Sequence, residues 1–189
     1  MSDSIRQQIV ISGVGGQGVL FVTQLLAEAA IHKGLAVLTS ETHGMAQRGG
    51  TVLSHFKVGG FSSPLIRPNQ ADGLLVLKDE NLAQHGAFLK KGGWAVVNSP
   101  KDLQAESEVE AAWIDADTLA RQIENAKSVN LIMLGYALAQ AEQAGAHQNR
   151  LFCSLTEIQE VLEKRFGGKP KMREASMRAL ETGYAACRK

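Results

Sequence analysis

The sequence has few cysteines and no long apolar run, and both absences exclude classes of protein. Cys153 and Cys187 stand far apart, without the C-x-x-C spacing of metal-binding motifs. This chain alone therefore cannot build an iron–sulfur cluster or a four-cysteine zinc site. We expect two inert thiols in a reducing compartment and no bound metal. No apolar run approaches the ~20 residues that span a bilayer, and the first one is too short for a signal peptide.

Charge of one sign is also missing. The 20 Lys and Arg residues are balanced by 19 Asp and Glu residues, which leaves a net charge of +1. No overall field then attracts nucleic acid or an anionic membrane, and any anion site must be local. These absences together predict a cytoplasmic protein whose partners are neither nucleic acid nor membrane.

The sequence does contain alternating strand-like and helix-like segments. Its 189 residues are 44% hydrophobic and 21% charged, which suits a single globular domain over residues 1–189. Short β-branched runs predict buried strands, and longer apolar-rich segments between them predict helices. The strand candidates are "QIVIS", "LAVLTS", "DGLLVLK", "WAVVN" and "AAWID", and the helix candidates are "VLFVTQLLAEAAI", "ENLAQHGAFLKKGG", 128–145 and two C-terminal segments. This alternation predicts a three-layer α/β fold with a Rossmann-like, mostly parallel sheet and C-terminal helices.

One segment breaks this alternation and predicts an inserted β-hairpin. In "TVLSHFKVGGFSSPLI", the side chains of Val52, Ser54, Phe56 and Val58 share one face of a strand. Gly59-Gly60 then offers the two turn residues with positive φ that a tight hairpin needs. We therefore expect the chain to turn at these two glycines.

Several other polar residues are interpreted as structural. Asp115 or Asp117 suits the N-cap of a helix, and the "SLTE" run at Ser154 has the capping-box pattern. His55 alternates with apolar neighbours, which favours a packed histidine over a ligand. Asn130 begins an apolar helix and is read as an N-cap or a packing contact.

A glycine-rich segment between the first strand and the first helix fits G-x-G-x-x-G. Glycine allows positive φ in a tight turn and a close approach of backbone to a ligand. The N–H groups at a helix start are unsatisfied and partly positive, so a phosphate is a natural occupant. The alternative is a tight turn without a ligand. The predicted cofactor-binding residues of this segment are Gly13, Gly15, Gly16, Gln17 and Gly18.

A second glycine-rich segment, "ETHGMAQRGGTV", follows the second strand. Parallel strands end at the same edge of a sheet, so we expect the two segments to form one site. Arg48 is the leading candidate to bind a phosphate or a carboxylate, and the alternative is a solvated loop cation. His43 either donates to a substrate or caps its own turn. Gly49 and Gly50 are assigned to cofactor binding.

Glu41 supports a competing interpretation. The dinucleotide fingerprint places an acidic residue about 20 residues beyond the glycines, and Glu41 lies 41 − 18 = 23 residues beyond the last one. A free-standing NAD(P)-binding oxidoreductase therefore stays open, with Glu41 on the ribose hydroxyls. Otherwise Glu41 would hold loop backbone N–H groups. A nucleotide-binding or CoA-binding regulatory module without catalytic activity is a third possibility.

Taken together, "GVGGQGVL", "ETHGMAQRGGTVLSHFKVG", "ADGLLVLKDE" and "NLIMLGYAL" resemble a known family. The chain is similar to the gamma-type subunit of the 2-oxoacid:ferredoxin oxidoreductases. Within that family it is most similar to the small (beta) subunit of the indolepyruvate enzymes. The likeness extends over nearly the whole chain, and the pairing of the two glycine motifs carries it.

The resemblance implies a role in oxidative decarboxylation of arylpyruvates to acyl-CoA, with ferredoxin as the electron acceptor. It implies that thiamine diphosphate and the iron–sulfur clusters belong to a larger partner subunit. The present chain would close over the active site, contribute to the coenzyme A site and be inactive alone. His43 and Arg48 would then be its catalytic residues.

Overall fold

The structure is a computed structural model that describes residues 5–43, 50–100, 111–143 and 151–187. In chain order its elements are β1 (Gln7–Val14), α1 (Val19–His32), β2 (Val37–His43), β3 (Thr51–Val58), β4 (Ala71–Val76), α2 (Glu80–His85), β5 (Leu89–Asn98), β6 (Ala112–Ile114), α3 (Ala116–Gln122), α4 (Val129–Gln143), α5 (Leu155–Phe166) and α6 (Pro170–Ala186).

The described strands form one six-stranded sheet in the order β2-β3-β1-β4-β5-β6. β3 runs antiparallel to both of its neighbours, whereas β1, β4, β5 and β6 pair in parallel. β2 and β1 consequently point the same way, with β3 between them. The predicted Rossmann-like, mostly parallel sheet is confirmed.

The inserted hairpin is present, but its predicted turn at Gly59-Gly60 is wrong. β3 is the second arm of a hairpin whose first arm is β2, and residues 44–50 connect the two. β3 also pairs with β1 on its other side, so no sheet position is left for the residues after Gly59. Residues 61–70, all within the described chain, form an irregular loop instead.

The helix predicted over "ENLAQHGAFLKKGG" is also shorter than expected. α2 ends at His85, a short 3-10 turn covers Gly86–Phe88, and β5 already begins at Leu89. The register of β5 on β4 shifts between Ala71↔Leu89 and Gly73↔Trp94, so the glycines that suggested a helix stop lie in an irregularity of the strand.

The core lies on both faces of the sheet. Ile9 and Ile11 of β1 join the larger cluster with α1, α4, α5 and α6, and Val10 joins a smaller one on the other face that includes Leu82 of α2. This alternation is that of a strand buried on both sides. It confirms the three layers expected from the sequence.

The helix ends follow the predicted capping residues. Asp115 caps α3 by accepting a hydrogen bond from the Thr118 N–H over 2.9 Å. Ser154 and Glu157 form a complete capping box at the start of α5. Within the described ranges, no helix is long and apolar enough to cross a membrane.

Candidate functional site

The two glycine-rich segments meet at the carboxyl end of β1. The Gly15 N–H donates a hydrogen bond to the Gly50 carbonyl oxygen over 3.0 Å. Gly15 and Gly16 are exposed there, between the end of β1 and the start of α1. The chain therefore places Gly50 beside the exposed backbone of Gly15 and Gly16, at the end of the sheet where ligands bind to open α/β folds.

The glycines of the first segment serve different steric needs. Gly16 has φ +94° and Gly18 has φ +79°, a region that side chains other than glycine adopt at a cost. Gly15, in contrast, has no positive φ. At Gly13 the constraint is packing, because an added Cβ would lie 2.8 Å from Cγ2 of Val19 and 2.9 Å from Oε1 of Gln17.

The Gln17 side chain holds the loop against the sheet. Its Oε1 accepts a hydrogen bond from the Val14 N–H over 2.9 Å, and its Nε2 donates to the Leu77 carbonyl oxygen over 3.1 Å. This side chain thus links the ends of β1 and β4 and shapes the loop. Direct contact between Gln17 and a ligand stays a prediction.

Asn130 closes the other side of the loop. Its Nδ2 donates to the Gly18 carbonyl oxygen over 3.3 Å, and its Oδ1 accepts from the Leu131 N–H over 2.9 Å. A Cβ added at Gly18 would overlap Asn130 Nδ2. The packing role considered for Asn130 is therefore what the structure shows, and it fixes the position of the α1 N-terminus.

A layer of buried polar side chains lies beneath the loop. Ser12 Oγ and His85 Nδ1 are 2.7 Å apart, and Asn81 Nδ2 donates to Ser12 Oγ over 3.2 Å and to the Gly13 carbonyl oxygen over 2.9 Å. Burial lowers the pKa of His85 below its ordinary value, which favours the neutral ring. The sequence did not predict this layer, although Asn81 and His85 stand four residues apart and so share a helix face.

His55 is a packed histidine, as its sequence context suggested. It is buried, its ring makes an edge contact with Phe88 at 5.5 Å, and its Nδ1 accepts a hydrogen bond from the Ile66 N–H over 3.3 Å. Burial, with Lys57 and His85 nearby, lowers the pKa of His55. The His55 ring therefore contacts the loop that follows β3 and does not reach the glycine segments at the other end of the sheet.

Two carboxylates, Asp79 after β4 and Asp117 after β6, lie near the carboxyl ends of these parallel strands. Asn98 Nδ2 donates to Asp117 Oδ2 over 2.7 Å and to the Leu77 carbonyl oxygen over 3.1 Å, and Ser99 Oγ donates to Asp79 Oδ2 over 3.1 Å. These negative charges disfavour an anion on this side of the glycine loop. An anion at the carboxyl edge would be better placed on the β1–β3 side.

Glu41 does not lie at the position that the dinucleotide interpretation requires. In the dinucleotide fold the strand that carries the acidic residue is the direct neighbour of β1. In this chain β3 separates them, and Glu41 pairs with Ser54 on the exposed edge strand β2. Two interstrand spacings, about 10 Å together, stand between β2 and β1. The geometry therefore argues against a ribose contact by Glu41.

The remaining predicted residues belong to the connection between β2 and β3. His43 is the last residue of β2 and pairs with Val52. Arg48 and Gly49 lie outside the described residues. The roles assigned to His43, Arg48 and Gly49 therefore stay predictions.

The mixed sheet and the two glycine segments that meet at the end of β1 make this chain an α/β domain with a ligand-binding type of loop. Sequence comparison identifies its family. Residues 8–186 match the pyruvate ferredoxin/flavodoxin oxidoreductase family, so the chain belongs to that family. The resemblance to gamma-type subunits is confirmed. Indolepyruvate oxidoreductase subunit IorB of Archaeoglobus fulgidus is 42% identical over 97 residues, which are 51% of this chain and 48% of the relative. The corresponding subunit of Thermococcus kodakarensis is 29% identical over 95% of both chains.

Solved structures share the fold. The gamma subunit of a keto/oxoacid ferredoxin oxidoreductase from Geobacter sulfurreducens superposes with a TM-score of 0.71 at 23% identity, covering 96% of this chain and 98% of that one. The 2-oxoglutarate:ferredoxin oxidoreductase from Magnetococcus marinus, solved with 2-oxoglutarate, coenzyme A and succinyl-CoA bound, gives a TM-score of 0.78 at 22% identity. That match covers 97% of this chain but 31% of the larger chain.

Proposed function

We propose that this chain is the small subunit of a 2-oxoacid ferredoxin oxidoreductase whose substrate is indolepyruvate or another arylpyruvate. Family membership and the relatives named indolepyruvate oxidoreductase support the reaction class and the substrate. The observation that carries the site is the hydrogen bond from Gly15 to Gly50, because it joins both glycine motifs at one edge. The larger subunit, with ferredoxin as acceptor, is the proposed partner.

In the proposed reaction the 2-oxoacid loses carbon dioxide, its carbonyl carbon ends in a thioester with coenzyme A, and two electrons pass to ferredoxin. Thiamine diphosphate and iron–sulfur clusters, held by the larger subunit, supply the decarboxylation and electron-transfer chemistry. This chain's residues orient the reactants and exclude water where the two subunits meet. Such positioning is a large part of catalysis in a closed site.

The first glycine segment fits a phosphate group of coenzyme A. An added Cβ at Gly16 would meet no atom within 4 Å, so the backbone faces open space. The N–H groups of the first turn of α1 have no acceptors within the helix and favour an anion. The carboxylates beyond β4 and β6 would keep that anion on the β1–β3 side, next to the second glycine segment.

The second glycine segment, residues 41–50, is proposed to close over the site when the larger subunit docks. Its glycines give the backbone freedom that docking must restrict, at an entropic cost. Arg48 and His43 are the residues in this segment that can bind an anion. Their proposed targets are the substrate carboxylate and a phosphate of coenzyme A or thiamine diphosphate.

The proposal is tested by co-expressing the chain with the larger subunit of an indolepyruvate ferredoxin oxidoreductase from the same organism and purifying through a tag on the small chain. We expect the two to copurify, and the complex to reduce ferredoxin with indolepyruvate and coenzyme A. The isolated chain should be colourless and inactive. Turnover or iron–sulfur absorption by the isolated chain would contradict the proposal. Tight NADH binding by the isolated chain would favour the dinucleotide alternative.

A further inference from the structure

A cluster of three cations lies at the amino end of β1, opposite the end of the strand that leads into the first glycine segment. Arg6 precedes β1, Lys57 stands near the end of β3, and Arg67 belongs to the irregular loop 61–70. They line one pocket of about 490 Å³ together with Phe61 and polar side chains of the same loop. Because β1 begins at this end of the sheet and the first glycine segment follows its other end, the pocket shares no lining residue with the two glycine segments.

The aromatic ring of Phe61 holds two of these cations. The Arg6 guanidinium carbon lies 4.3 Å from the ring centroid, and Lys57 Nζ lies 5.0 Å from it. Each contact is a cation–π interaction, which attracts a positive charge without neutralising it. The Phe61 ring therefore helps to hold Arg6 and Lys57 close together, and both side chains keep their positive charge.

None of the three cations forms an ion pair within the described part of the chain. The nearby Asp72 accepts a hydrogen bond from the Gln8 N–H over 2.7 Å through Oδ2 and pairs with Lys90 through Oδ1. Lys57 is 7% exposed, and burial followed by the charges of Arg6 and Arg67 lowers its pKa. Three like charges held this close repel one another, and an anion between them would relieve that repulsion.

The walls of the pocket are fixed by the fold. Lys57 pairs with Gln8 in the β1–β3 ladder, and Gln8 Nε2 donates to the Gln70 carbonyl oxygen over 2.9 Å. Ile66, 3% exposed, anchors the loop from below. Lys57 therefore starts from a strand, Arg67 from an anchored loop and Arg6 from the residue directly before β1, so binding an anion would need little rearrangement.

We propose that this pocket binds a phosphate group of a small ligand. Three cations suit a multiply charged anion, guanidinium groups match phosphate oxygens in a bidentate geometry, and the amides of Gln8 and Gln70 add neutral donors. The volume falls within the range of small-molecule sites. This site goes beyond the proposed function and does not depend on it.

The test is calorimetric titration of the full-length chain at physiological ionic strength with pyrophosphate and, separately, with ADP. We expect both to bind, and the double substitution Arg6→Gln/Arg67→Gln to weaken binding roughly 10- to 100-fold, since charged hydrogen bonds are lost. The control Lys164→Gln/Lys171→Gln removes the same charge from the exposed surface of α5 and α6 and should leave the affinity unchanged. Tighter binding of ADP than of pyrophosphate would identify a nucleotide; equal binding would identify free phosphates.

Lys57→Met provides an independent readout. Because the three cations repel one another, removing the Lys57 charge should raise the Tm of the ligand-free chain and also remove the stabilisation by pyrophosphate. Binding of neither anion at millimolar concentration, or equal loss in the control variant, would overturn the proposal. Tighter binding of an acidic peptide than of pyrophosphate would also overturn it, in favour of a protein partner.

Discussion

The hydrogen bond from the Gly15 N–H to the Gly50 carbonyl oxygen, 3.0 Å long, extends the ladder between β1 and β3. The last regular pair of that ladder is Val14↔Thr51, and Gly15 and Gly50 are the next residues on either side. The antiparallel strand β3 is thus what brings the second glycine segment onto the first.

The first prediction compares alanine at two glycines of the loop. Gly16 and Gly18 both have positive φ, but open space surrounds Gly16 whereas Gly18 faces Asn130. Gly16→Ala should cost about 1–2 kcal/mol of unfolding free energy from backbone strain alone. Gly18→Ala should cost about 1–3 kcal/mol more, because overpacking is added. Denaturant unfolding of both variants measures the difference.

Asn130→Ala supplies the matched background for this comparison. Once the Asn130 side chain is removed, Gly18→Ala retains only the backbone strain, and its cost should approach that of Gly16→Ala. A double-mutant cycle without coupling between positions 18 and 130 would show that the contact does not shape the loop.

The second prediction concerns pH. The pKa values of His55 and His85 are lowered in the folded chain, mainly by burial, so the unfolded chain binds more protons below pH ~6.5. The free energy of unfolding should have its full value above that pH and should fall as the pH drops toward the pKa values of the two histidines in the folded chain. The slope should reach at most about 1.4 kcal/mol per pH unit for each histidine.

His85→Asn tests the contribution of one ring. Asparagine can keep an acceptor near Ser12 but does not titrate, so the slope of stability against pH between 5 and 7 should become shallower. The urea-unfolding free energy measured across this range gives the slope. An identical slope in the variant and in the parent chain would assign the pH dependence to other groups.

The third prediction concerns the contact between α4 and α6. A Cβ at Gly135 would overlap the Leu180 carbonyl oxygen, and one at Gly183 would overlap the Ile132 carbonyl oxygen. Gly135→Ala should therefore destabilise the chain by about 1–3 kcal/mol despite the better helix propensity of alanine. Gly168→Ala, where no atom lies within 4 Å, should change stability by less than ~0.5 kcal/mol. Equal Tm values for the two variants would contradict close packing.

Local patterns predicted the parts of the fold that local chemistry determines. Asp115 and Ser154 cap helices because a cap depends on the three residues that follow it. The turn at Gly59 was placed wrongly because strand pairing is not local: β3 pairs with β2 and β1, and no short-range signal reports that choice. The layer of buried polar side chains beneath the glycine loop was not predicted for the same reason, since Ser12 and His85 meet only after folding.

Residues 41–50 are proposed to form part of the assembled active site, and Arg48→Ala tests this role most directly. In the enzyme reconstituted with the larger subunit, kcat/KM for indolepyruvate should fall roughly 10- to 100-fold, because a charged hydrogen bond contributes about 1.5–3 kcal/mol. Tm and subunit association should be unchanged, and Arg178→Ala on the exposed face of α6 should match the parent enzyme. An Arg48→Ala enzyme with the parent kcat/KM would contradict a role of residues 41–50 in the active site.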